Sequence, residues 1–542
     1  MENNNRRIST WIPLLLGLTL IFGVWLGIRL QNRKLATMLP AQLSNRSKLD
    51  QVINLVEGNY VDEVNSKKLV EDAIPEVLKQ LDPHTVYIPA KEMQGVSEEM
   101  SGNFGGIGVQ FSIQNDTVMV IDVISGGPSQ KLGIHAGDRI VKVDDSTLVG
   151  KNVKNETVFK KLRGPKGTNV KVGIWRKGLP DLLSFNITRG DIPIYSVDVS
   201  YMIDNKTGYV KVGRFAEKTY EEFMAALAKL ENGGAEQFII DLRGNPGGYL
   251  SSVIRMVNEM LDKGELIVYT AGRTQPKKVF NSESRGKYFG KRSVILVDEY
   301  SASASEIFAG AIQDNDRGTI IGRRTFGKGL VQEQIPFYDG SAIRLTVARY
   351  YTPSGRCIQK SYLKGTDDYY ADITRRYSHG EFEQKDSIHM ADTVKYYTRN
   401  KRIVYGGGGI MPDIFVPADT TGNSPYLFKL MQKGLVYQYA FDYADKHRDE
   451  LSHLKSGPEF ADLLHKRSIL DEFIKYAVKN GVAGNDTGIK TSGKIIESQL
   501  MAYIARNIIG EEGFYSIISN IDNTLQVAVK TINSKDKLVS VK

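Results

Sequence analysis

The feature that most limits the fold of this chain is an alternation of strand-like and helix-like segments between Tyr209 and about Tyr351. The strand-like runs, such as QFIIDLR and SVILV, are almost continuously apolar, and helical patterns separate them. Such runs are typical of largely buried strands in an α/β layer. The segment IPFYDGSAIRLTVARYYT then predicts a hairpin that turns at Asp339-Gly340. We therefore expect an α/β core over residues 195–417.

The segments around this core have different patterns. Residues 41–100 carry apolar positions at helical spacing, which predicts N-terminal helices. Residues 101–190 contain short strands separated by glycine turns, which predicts a mostly β domain. A polar, tyrosine-rich stretch at about 360–405 is interpreted as an insertion in the core. Residues 418–542 show repeated helical patterns without a chemical motif, so we expect a helical C-terminal extension there.

The N-terminus contains an apolar stretch of membrane-spanning length. The residues from Trp11 to Ile28 carry no charge, and tryptophans of the kind found at bilayer interfaces lie near both ends. A cleavable signal peptide has a shorter apolar core and a small-x-small cleavage site, whereas here Arg29 follows the run at once. We therefore expect residues 1–34 to form an uncleaved transmembrane anchor with a short cytoplasmic tail.

Composition excludes several classes of function. The net charge of +9 is spread along the 542 residues rather than gathered into basic runs, so we predict no nucleic-acid partner. The single cysteine, Cys357, rules out a disulfide or a multi-cysteine metal site within one chain. The seven histidines lack the HExxH spacing of a zinc helix. We therefore predict neither a metal nor another cofactor.

A glycine cluster opens the predicted β domain. Gly105, Gly106, Ile107, Gly108 and Val109 are followed by GGPSQKLGIHAGDRIVKVDD, and together these segments resemble a PDZ domain. In such a domain, successive backbone N–H groups of the glycine loop bind a terminal carboxylate, and an open strand edge accepts an extended peptide as an added strand. The resemblance therefore implies a site for protein C-terminal tails at this loop.

The motif SASASE lies between a strand-like run and a helix-like run. Ser303 and Glu306 fit the capping-box pattern S-x-x-E, so Ser303 could simply cap the helix. A serine at a helix start could also act as a nucleophile, because the free N–H groups and the positive end of the helix dipole would stabilise an oxyanion there. The residues alone do not choose between Ser301, Ser303 and Ser305, nor between cap and nucleophile.

A serine nucleophile needs a base that accepts its proton. No histidine lies between His135 and His379, and the chain lacks a G-x-S-x-G elbow. Lys328 stands between two glycines in TFGKGLVQ, and Gln332 follows four residues later, a spacing that returns to the same face of a strand or a helix. A lysine acts as a base only when neutral, which requires burial to lower its pKa.

Three segments together carry a family resemblance: DLRGNPGG, SASASEIFAGAIQDNDRGTIIGRRTFGKGLVQ and the PDZ-like segment before them. The chain resembles the carboxy-terminal processing proteases, also called tail-specific proteases, from about Leu81 to Pro417. The resemblance implies a crotonase-like α/β protease core. It also implies that Ser303 is the nucleophile, Lys328 the general base and Gln332 its supporting residue.

The same resemblance implies further site residues. The oxyanion hole would consist of the backbone N–H of Ala304 and that of either Gly247 or Gly248. Arg163, in LRGPKGT, matches an arginine that couples the position of the PDZ domain to the active site in relatives. Because such proteases act outside the cytoplasm, the resemblance implies an inner-membrane protein of a bacterial cell, crossing the membrane once, with its catalytic part on the periplasmic side.

The resemblance also suggests partners. Substrates would be proteins with free C-terminal tails, and the membrane would hold the N-terminal helix. The N-terminal or C-terminal helices could form a homodimer, and an adaptor protein could bind. The native substrate cannot be read from the chain.

Two alternatives compete with a Ser/Lys protease. A catalytically inactive PDZ scaffold would bind tails without cleaving them, although the presence of Ser303, Lys328 and Gln332 argues against it. An acyl-enzyme of the penicillin-binding type requires S-x-x-K, which occurs at Ser284 and at Ser361. Both matches lie in polar stretches unlike a buried helix start, and no K-T-G follows them.

Overall fold

The structure is a computed structural model that describes residues 17, 19, 22–25, 46–114, 116–124, 126–151, 153–389 and 394–534. It divides into two units, residues 1–81 and residues 82–542. The first unit contains two helices, α1 (Arg46–Asn59) and α2 (Ser66–Leu78). The side chain of Asn65 accepts a hydrogen bond from the N–H of Lys68 and so caps the start of α2.

The predicted membrane anchor, Trp11 to Ile28, lies largely outside the described residues. Within those residues, no helix has both the length and the apolar character needed to cross a bilayer. The anchor therefore stays a prediction from the sequence.

The second unit begins with a short strand and a helix, which precede a mostly β domain. Its elements are β1 (Val86–Ile88), α3 (Ala90–Ser101), β2 (Asn103–Gly106), β3 (Val109–Gln114), β4 (Thr117–Val123), α4 (Pro128–Lys131), β5 (Arg139–Val143), β6 (Ser146–Thr147), α5 (Asn155–Leu162), β7 (Asn169–Trp175), β8 (Leu183–Thr188) and β9 (Gly190–Pro193). The main sheet has the order β3-β4-β5-β7-β8 with β6 on β5, and β2 pairs with β9. Because β3 ends the order of the main sheet, it is an edge strand.

The α/β core follows. Its elements are β10 (Val197–Met202), β11 (Thr207–Val212), α6 (Thr219–Asn232), β12 (Gln237–Asp241), α7 (Leu250–Asn258), β13 (Leu266–Ala271), β14 (Lys278–Asn281), β15 (Arg292–Val297), α8 (Ala304–Asp314), β16 (Thr319–Gly322), β17 (Leu330–Pro336), β18 (Ala342–Tyr351), α9 (Thr366–Ser378), a 3-10 turn (Lys385–Ser387), β19 (Lys395–Tyr397), β20 (Ile403–Tyr405) and β21 (Ile414–Phe415). One sheet has the order β10-β11-β12-β15-β16-β21 and is parallel apart from the β10–β11 pair.

A second sheet of the core is antiparallel. It has the order β1-β18-β13-β14, and β17 also pairs with β18. The predicted hairpin is present, because β17 and β18 pair on either side of a turn at Asp339-Gly340, where Gly340 has a φ of 85°. The polar stretch from about 360 to 405 contains α9 and the small hairpin of β19 and β20.

The C-terminal part is helical within the described residues. It contains α10 (Pro425–Gln432), α11 (Leu435–Lys446), α12 (Arg448–Leu451), α13 (Gly457–Lys466), α14 (Ile469–Lys479), α15 (Asp486–Ile509), α16 (Glu511–Ile518), a 3-10 turn (Ser519–Ile521) and α17 (Asn523–Asn533). The expected α/β core, mostly β domain and helical C-terminus are therefore confirmed.

The last helix, α17, packs against the parallel sheet of the α/β core. Along β12, Phe238 and Ile240 point to one face of the parallel sheet, where α6, α7 and α8 pack. Ile239 points to the other face, where Leu525 and Ile532 of α17 cover it. The near-continuous apolar pattern of the strands is thus explained, because both faces of the sheet are buried.

Candidate active site

The serine motif SASASE lies at the junction of β15 and α8, and the structure separates the roles of its three serines. Ser301 and Ser305 are buried, and their hydroxyls donate to the carbonyl oxygens of Leu242 and Asn245. Ser303 instead lies on the wall of a cavity of about 680 Å³. The geometry therefore favours Ser303 as the reactive serine.

Ser303 has a backbone conformation that non-glycine residues rarely adopt. Its φ is 56° and its ψ is −112°, at the position that precedes the first residue of α8. Such a conformation costs on the order of 1–3 kcal/mol and persists only where the surroundings impose it. Here the Ala302 N–H donates to the carbonyl of Asn245, and the Ser303 N–H donates to a carboxylate oxygen of Glu306. These bonds fix the serine at the helix start.

Gly247 and Gly248 approach the serine closely. A Cβ on Gly247 would lie 2.7 Å from the Ser303 Cβ and 2.9 Å from the Ala304 nitrogen, so only glycine fits there. The Gly247 N–H already donates to the side chain of Asn245. Among the hydrogen bonds of the described residues, the N–H groups of Gly248 and Ala304 have no acceptor. The geometry therefore favours Gly248 over Gly247 as the second oxyanion donor.

Lys328 lines the same cavity as Ser303. It lies in the segment between β16 and β17, where Gly327 has a φ of 90°. Burial lowers the pKa of Lys328, and the positive charge of Arg344 lowers it further, while the carboxyl groups of Glu306 and Asp82 act in the opposite direction. A lowered pKa is what a lysine needs in order to act as a base.

Glu306 joins Ser303 to the lysine loop, which is the segment 323–329 between β16 and β17 that contains Lys328. Its fully buried carboxylate accepts hydrogen bonds from the N–H groups of Ser303, Gly327 and Lys328 and from the hydroxyl of Thr325, at 2.5 to 2.9 Å. Burial raises the pKa of Glu306 to about 7, although these hydrogen bonds act to lower it. Glu306 of the predicted capping box therefore also connects the start of α8 to the segment that carries Lys328.

Tyr350 makes a second link between these segments. Its hydroxyl lies 3.1 Å from the carbonyl oxygen of Ser303 and 2.6 Å from that of Lys328. The ring is buried, and it comes from β18 of the antiparallel sheet. Sequence reasoning missed Tyr350, because nothing local in RLTVARYYT marks it as a neighbour of the serine.

Residues of the tyrosine-rich insertion hold the lysine loop from its other side. Arg376 of α9 donates to the carbonyl oxygens of Arg324 and Thr325 at 2.6 and 3.1 Å. Glu381 binds both Arg324 and Arg376, and all three side chains are buried. The insertion therefore packs against the active site.

The C-terminal extension contacts the glycine loop that lies opposite the serine. Arg243 donates to both carboxylate oxygens of Asp522 at 2.9 and 2.7 Å, and it also binds Asp241 at the end of β12. Arg243 belongs to DLRGNPGG, the segment that contains Gly247 and Gly248. The helical extension is thus joined directly to the loop that contains the predicted oxyanion glycines.

The predicted carboxylate-binding loop is shorter than expected. Gly105 and Gly106 belong to β2, Val109 begins β3, and only Ile107 and Gly108 lie between the strands. A Cβ on Gly105 would lie 2.2 Å from the carbonyl oxygen of Gly164, so packing alone explains that glycine. The edge strand β3 follows the loop directly, as β-strand addition of a peptide requires.

Arg163 lies beside this loop. Its guanidinium carbon is 4.1 Å from the ring centre of Phe104 and 4.8 Å from that of Phe159, and it faces Glu98 at 3.8 Å. These contacts connect α5 of the β domain with α3, the helix that lies between β1 and β2 along the chain. The arrangement is compatible with a coupling role for Arg163, which stays a prediction.

The described residues contain no cluster of His, Cys, Asp or Glu that could hold a metal ion. His84 lies near Lys328, and both line a smaller cavity of about 390 Å³. Burial, and then the charge of Lys328, lowers the pKa of His84 to about 3, so its ring is neutral at ordinary pH. Sequence reasoning assigned no role to His84 or to its neighbour Asp82.

Comparisons with known proteins agree with this architecture. Models of Peptidase family S41 and of a PDZ domain match residues 206–369 and 105–187. A model named for the N-terminal domain of the activating protease CtpB matches residues 29–92, and a family of unknown function matches residues 426–510. The fold and the serine site therefore define a serine-type peptidase with a PDZ domain.

Similar individual proteins identify the family within the class of serine-type peptidases. A carboxy-terminal-processing protease of Bartonella bacilliformis is 37% identical over 58% of this chain and 72% of its own length. The carboxy-terminal processing protease CtpA of Bacillus subtilis is 36% identical over 59% of this chain and 68% of its own length. The chain belongs to the carboxy-terminal processing protease family.

Among solved structures, a photosystem II D1 C-terminal processing protease is 25% identical, with a TM-score of 0.36 over 68% of this chain and 92% of that chain.

Proposed function

We propose that this protein is an endopeptidase that cleaves substrates with free C-terminal tails by a Ser303/Lys328 dyad, on a crotonase-like core. The observation that carries the proposal is the shared cavity of Ser303 and Lys328. Glu306 and Tyr350 link the backbones of the two residues, and burial lowers the pKa of the lysine.

In the first half of the reaction, the neutral amine of Lys328 takes the proton of the Ser303 hydroxyl. The serine oxygen then forms a bond to the carbonyl carbon of the scissile peptide. The negative charge that develops on the carbonyl oxygen is stabilised by the N–H groups of Ala304 and Gly248. Lys328 then gives its proton to the nitrogen of the leaving peptide while the carbonyl re-forms and the carbon–nitrogen bond breaks, which leaves an acyl ester on Ser303.

In the second half, Lys328 takes a proton from water, and the resulting hydroxide attacks the ester carbon. The same N–H groups stabilise the second oxyanion. Collapse of that intermediate breaks the bond to the serine oxygen, and Lys328 returns the proton to Ser303. The enzyme is thus regenerated without a metal or another cofactor.

The proposal assigns substrate selection to the PDZ domain. The loop at Ile107 and Gly108 would bind the terminal carboxylate, and the edge strand β3 would add the tail as a strand. By similarity to the family, the enzyme would lie in the bacterial inner membrane with its catalytic part in the periplasm. On the same ground, the proposal includes a second copy of the chain and an adaptor protein as partners. Removal of residues 1–33 tests this location, because we expect the shortened protein no longer to associate with membranes.

Cleavage of one test protein with three different C-termini tests the function. We expect rapid cleavage when the protein ends in apolar residues with a free carboxylate, and slower cleavage when it ends in an amide or in two aspartates. The Ser303→Ala variant is the control and should cleave none of them. Equal rates for the three proteins would contradict tail selection, and no cleavage by the wild type would contradict the enzyme itself and favour a tail-binding scaffold.

A further inference from the structure

The carboxylate of Asp82 is buried and is connected to Gln332 through the hydroxyl of Thr346. Asp82 lies in the segment LDPHTVYIP, which leads into β1. Asp82 is 8% exposed. One of its oxygens accepts hydrogen bonds from the N–H groups of His84 and Thr85 at 2.8 and 3.0 Å, and the other accepts from the Thr85 hydroxyl at 2.6 Å. The hydroxyl of Thr346, on β18, lies 3.1 Å from Asp82 as a fourth donor.

These contacts define the direction of the hydrogen bonds. Asp82 acts as the acceptor in each of these contacts, so the single proton of the Thr346 hydroxyl is donated to it. The threonine oxygen can then only accept from its other neighbour, which is the side-chain nitrogen of Gln332 at 3.3 Å. The amide of Gln332 is therefore oriented with its nitrogen toward Thr346, and its Oε1 remains available as an acceptor.

The backbone brings these residues together through an irregularity in the hairpin. Val331 pairs with Ala348, but Gln332 pairs with Thr346, so Val347 is an extra residue that has no partner in the register. In a regular ladder, Gln332 would lie opposite Val347, and no hydroxyl would face its amide. The bulge also places the Thr346 N–H 3.1 Å from the Thr85 hydroxyl, which ties the strand to the segment that carries Asp82.

We propose that Asp82 and Thr346 are positioning residues that orient the amide of Gln332 so that its Oε1 accepts a proton of the Lys328 amine. A neutral amine carries two N–H bonds and one lone pair. An acceptor for one N–H fixes the rotation of the amine, so that the lone pair faces the hydroxyl of Ser303. Gln332, Lys328 and Ser303 line the same cavity. The inference rests on the proposed function, since it assumes that Lys328 is the base.

The test is Thr346→Val in the full chain, because valine keeps the shape of threonine and removes only the hydroxyl. We expect kcat for a tailed test protein to fall about tenfold or more, which corresponds to about 1.4 kcal/mol, while KM stays within about twofold. Thr346→Ser, which restores the hydroxyl, should recover most of the loss. Thr352→Val is the matched control, since Thr352 is also buried and its hydroxyl hydrogen-bonds, within the described part of the chain, with that of Ser354 alone; it should keep wild-type kcat.

A double-mutant cycle separates positioning from a general structural effect. In a Gln332→Ala background, Thr346→Val should cause no further loss, because the amide that it orients is gone. Additive losses, or wild-type kcat in Thr346→Val alone, would overturn the inference.

A second readout does not depend on turnover. Since an acceptor of its N–H favours the charged amine, loss of the oriented Oε1 should move the labelling of Lys328 by acetic anhydride to lower pH in Thr346→Val. An unchanged labelling profile would also overturn the inference. A wild type that cleaves nothing would overturn the proposed function, and this labelling result would still decide the role of Thr346.

Discussion

Two lysines lie close to the active site, Lys360 buried and Lys328 partly buried, and their surroundings differ. Lys360, at the start of the insertion, places its Nζ 3.0 Å from a carboxylate oxygen of Asp372 and 3.9 and 4.3 Å from the ring centres of Phe326 and Tyr369. Lys328 lines the cavity beside Ser303, and it forms no ion pair with any residue that the structure describes. Burial lowers the pKa of both lysines.

The difference shows what separates a base from a structural cation. Lys360 has a carboxylate and two aromatic rings that stabilise its charged form, and the charge of Asp372 partly offsets the effect of burial on its pKa. The nearest carboxylate to the Lys328 loop is that of Glu306, which is directed at backbone N–H groups rather than at the amine. These differences support the proposal that Lys328, rather than Lys360, acts as the base beside Ser303.

The largest difference in kcat is expected when each lysine is replaced in turn by arginine. Arginine keeps the charge but cannot act as a base at any working pH, so Lys328→Arg should lower kcat at least about 10³-fold, to the level of Ser303→Ala. Lys360→Arg keeps an ion pair with Asp372 and should retain most of the activity. Peptide cleavage from about pH 5 to 10 is the measurement, and wild-type activity should rise with pH as Lys328 loses its proton.

Substantial turnover by Lys328→Arg would remove Lys328 from the role of base. Equal losses of kcat in Lys328→Arg and Lys360→Arg would show that the two lysines do not differ in their importance for catalysis.

A smaller loss of kcat is expected from the Glu306→Gln substitution. Glutamine has the same shape, but its NH₂ group would face N–H or O–H donors where the carboxylate accepts four hydrogen bonds. Loss of two such bonds, each worth about 1 kcal/mol, should lower kcat about tenfold to hundredfold with little change in KM.

The matched control is Glu299→Gln. Glu299 is also a buried carboxylate near the serine, but it pairs with the side chain of Arg323 and does not accept from the N–H groups of Gly327 and Lys328. It should therefore keep kcat within about threefold of the wild type. A similar loss in both variants would mean that Glu306 has no special role at the site.

Local patterns predicted much of this architecture. Continuous apolar runs indicated the buried strands of the α/β core, and β12 is buried along its whole length. The hairpin at Asp339-Gly340 followed from turn chemistry alone. The motif SASASE marked the start of α8, but it could not distinguish the buried hydroxyls of Ser301 and Ser305 from the cavity-facing Ser303.

The parts that the sequence did not reveal depend on contacts between distant segments. The capping pattern indicated Glu306 but not its bonds to Gly327 and Lys328, which require the lysine loop to cross the helix start. Asp82 is far from Gln332 along the chain, and a bulge in β18 connects them through Thr346. The helical pattern of α17 likewise gave no sign that it covers the protease sheet.

The smallest effect is one of stability: the pKa of both lysines is lowered, but only replacement of Lys360 leaves a paired carboxylate behind. The pKa of Lys328 is lower in the folded chain than in the unfolded chain, so between the two values the unfolded chain binds a proton that the folded chain does not. The stability that this site contributes is therefore present above the unfolded pKa of about 10.4 and is lost as pH falls through the folded pKa.

Replacing Lys328 by methionine removes this cost, so Lys328→Met should raise the melting temperature by about 2 °C near neutral pH, and the gain should shrink as pH approaches about 10. Lys360→Met should instead lower it by about 2–4 °C, because Asp372 loses its cation and two rings lose theirs. Melting curves of both variants and the wild type from about pH 6 to 10 provide the measurement. If both substitutions shift the melting temperature in the same direction, the two lysines do not differ in the way that the catalytic assignment requires.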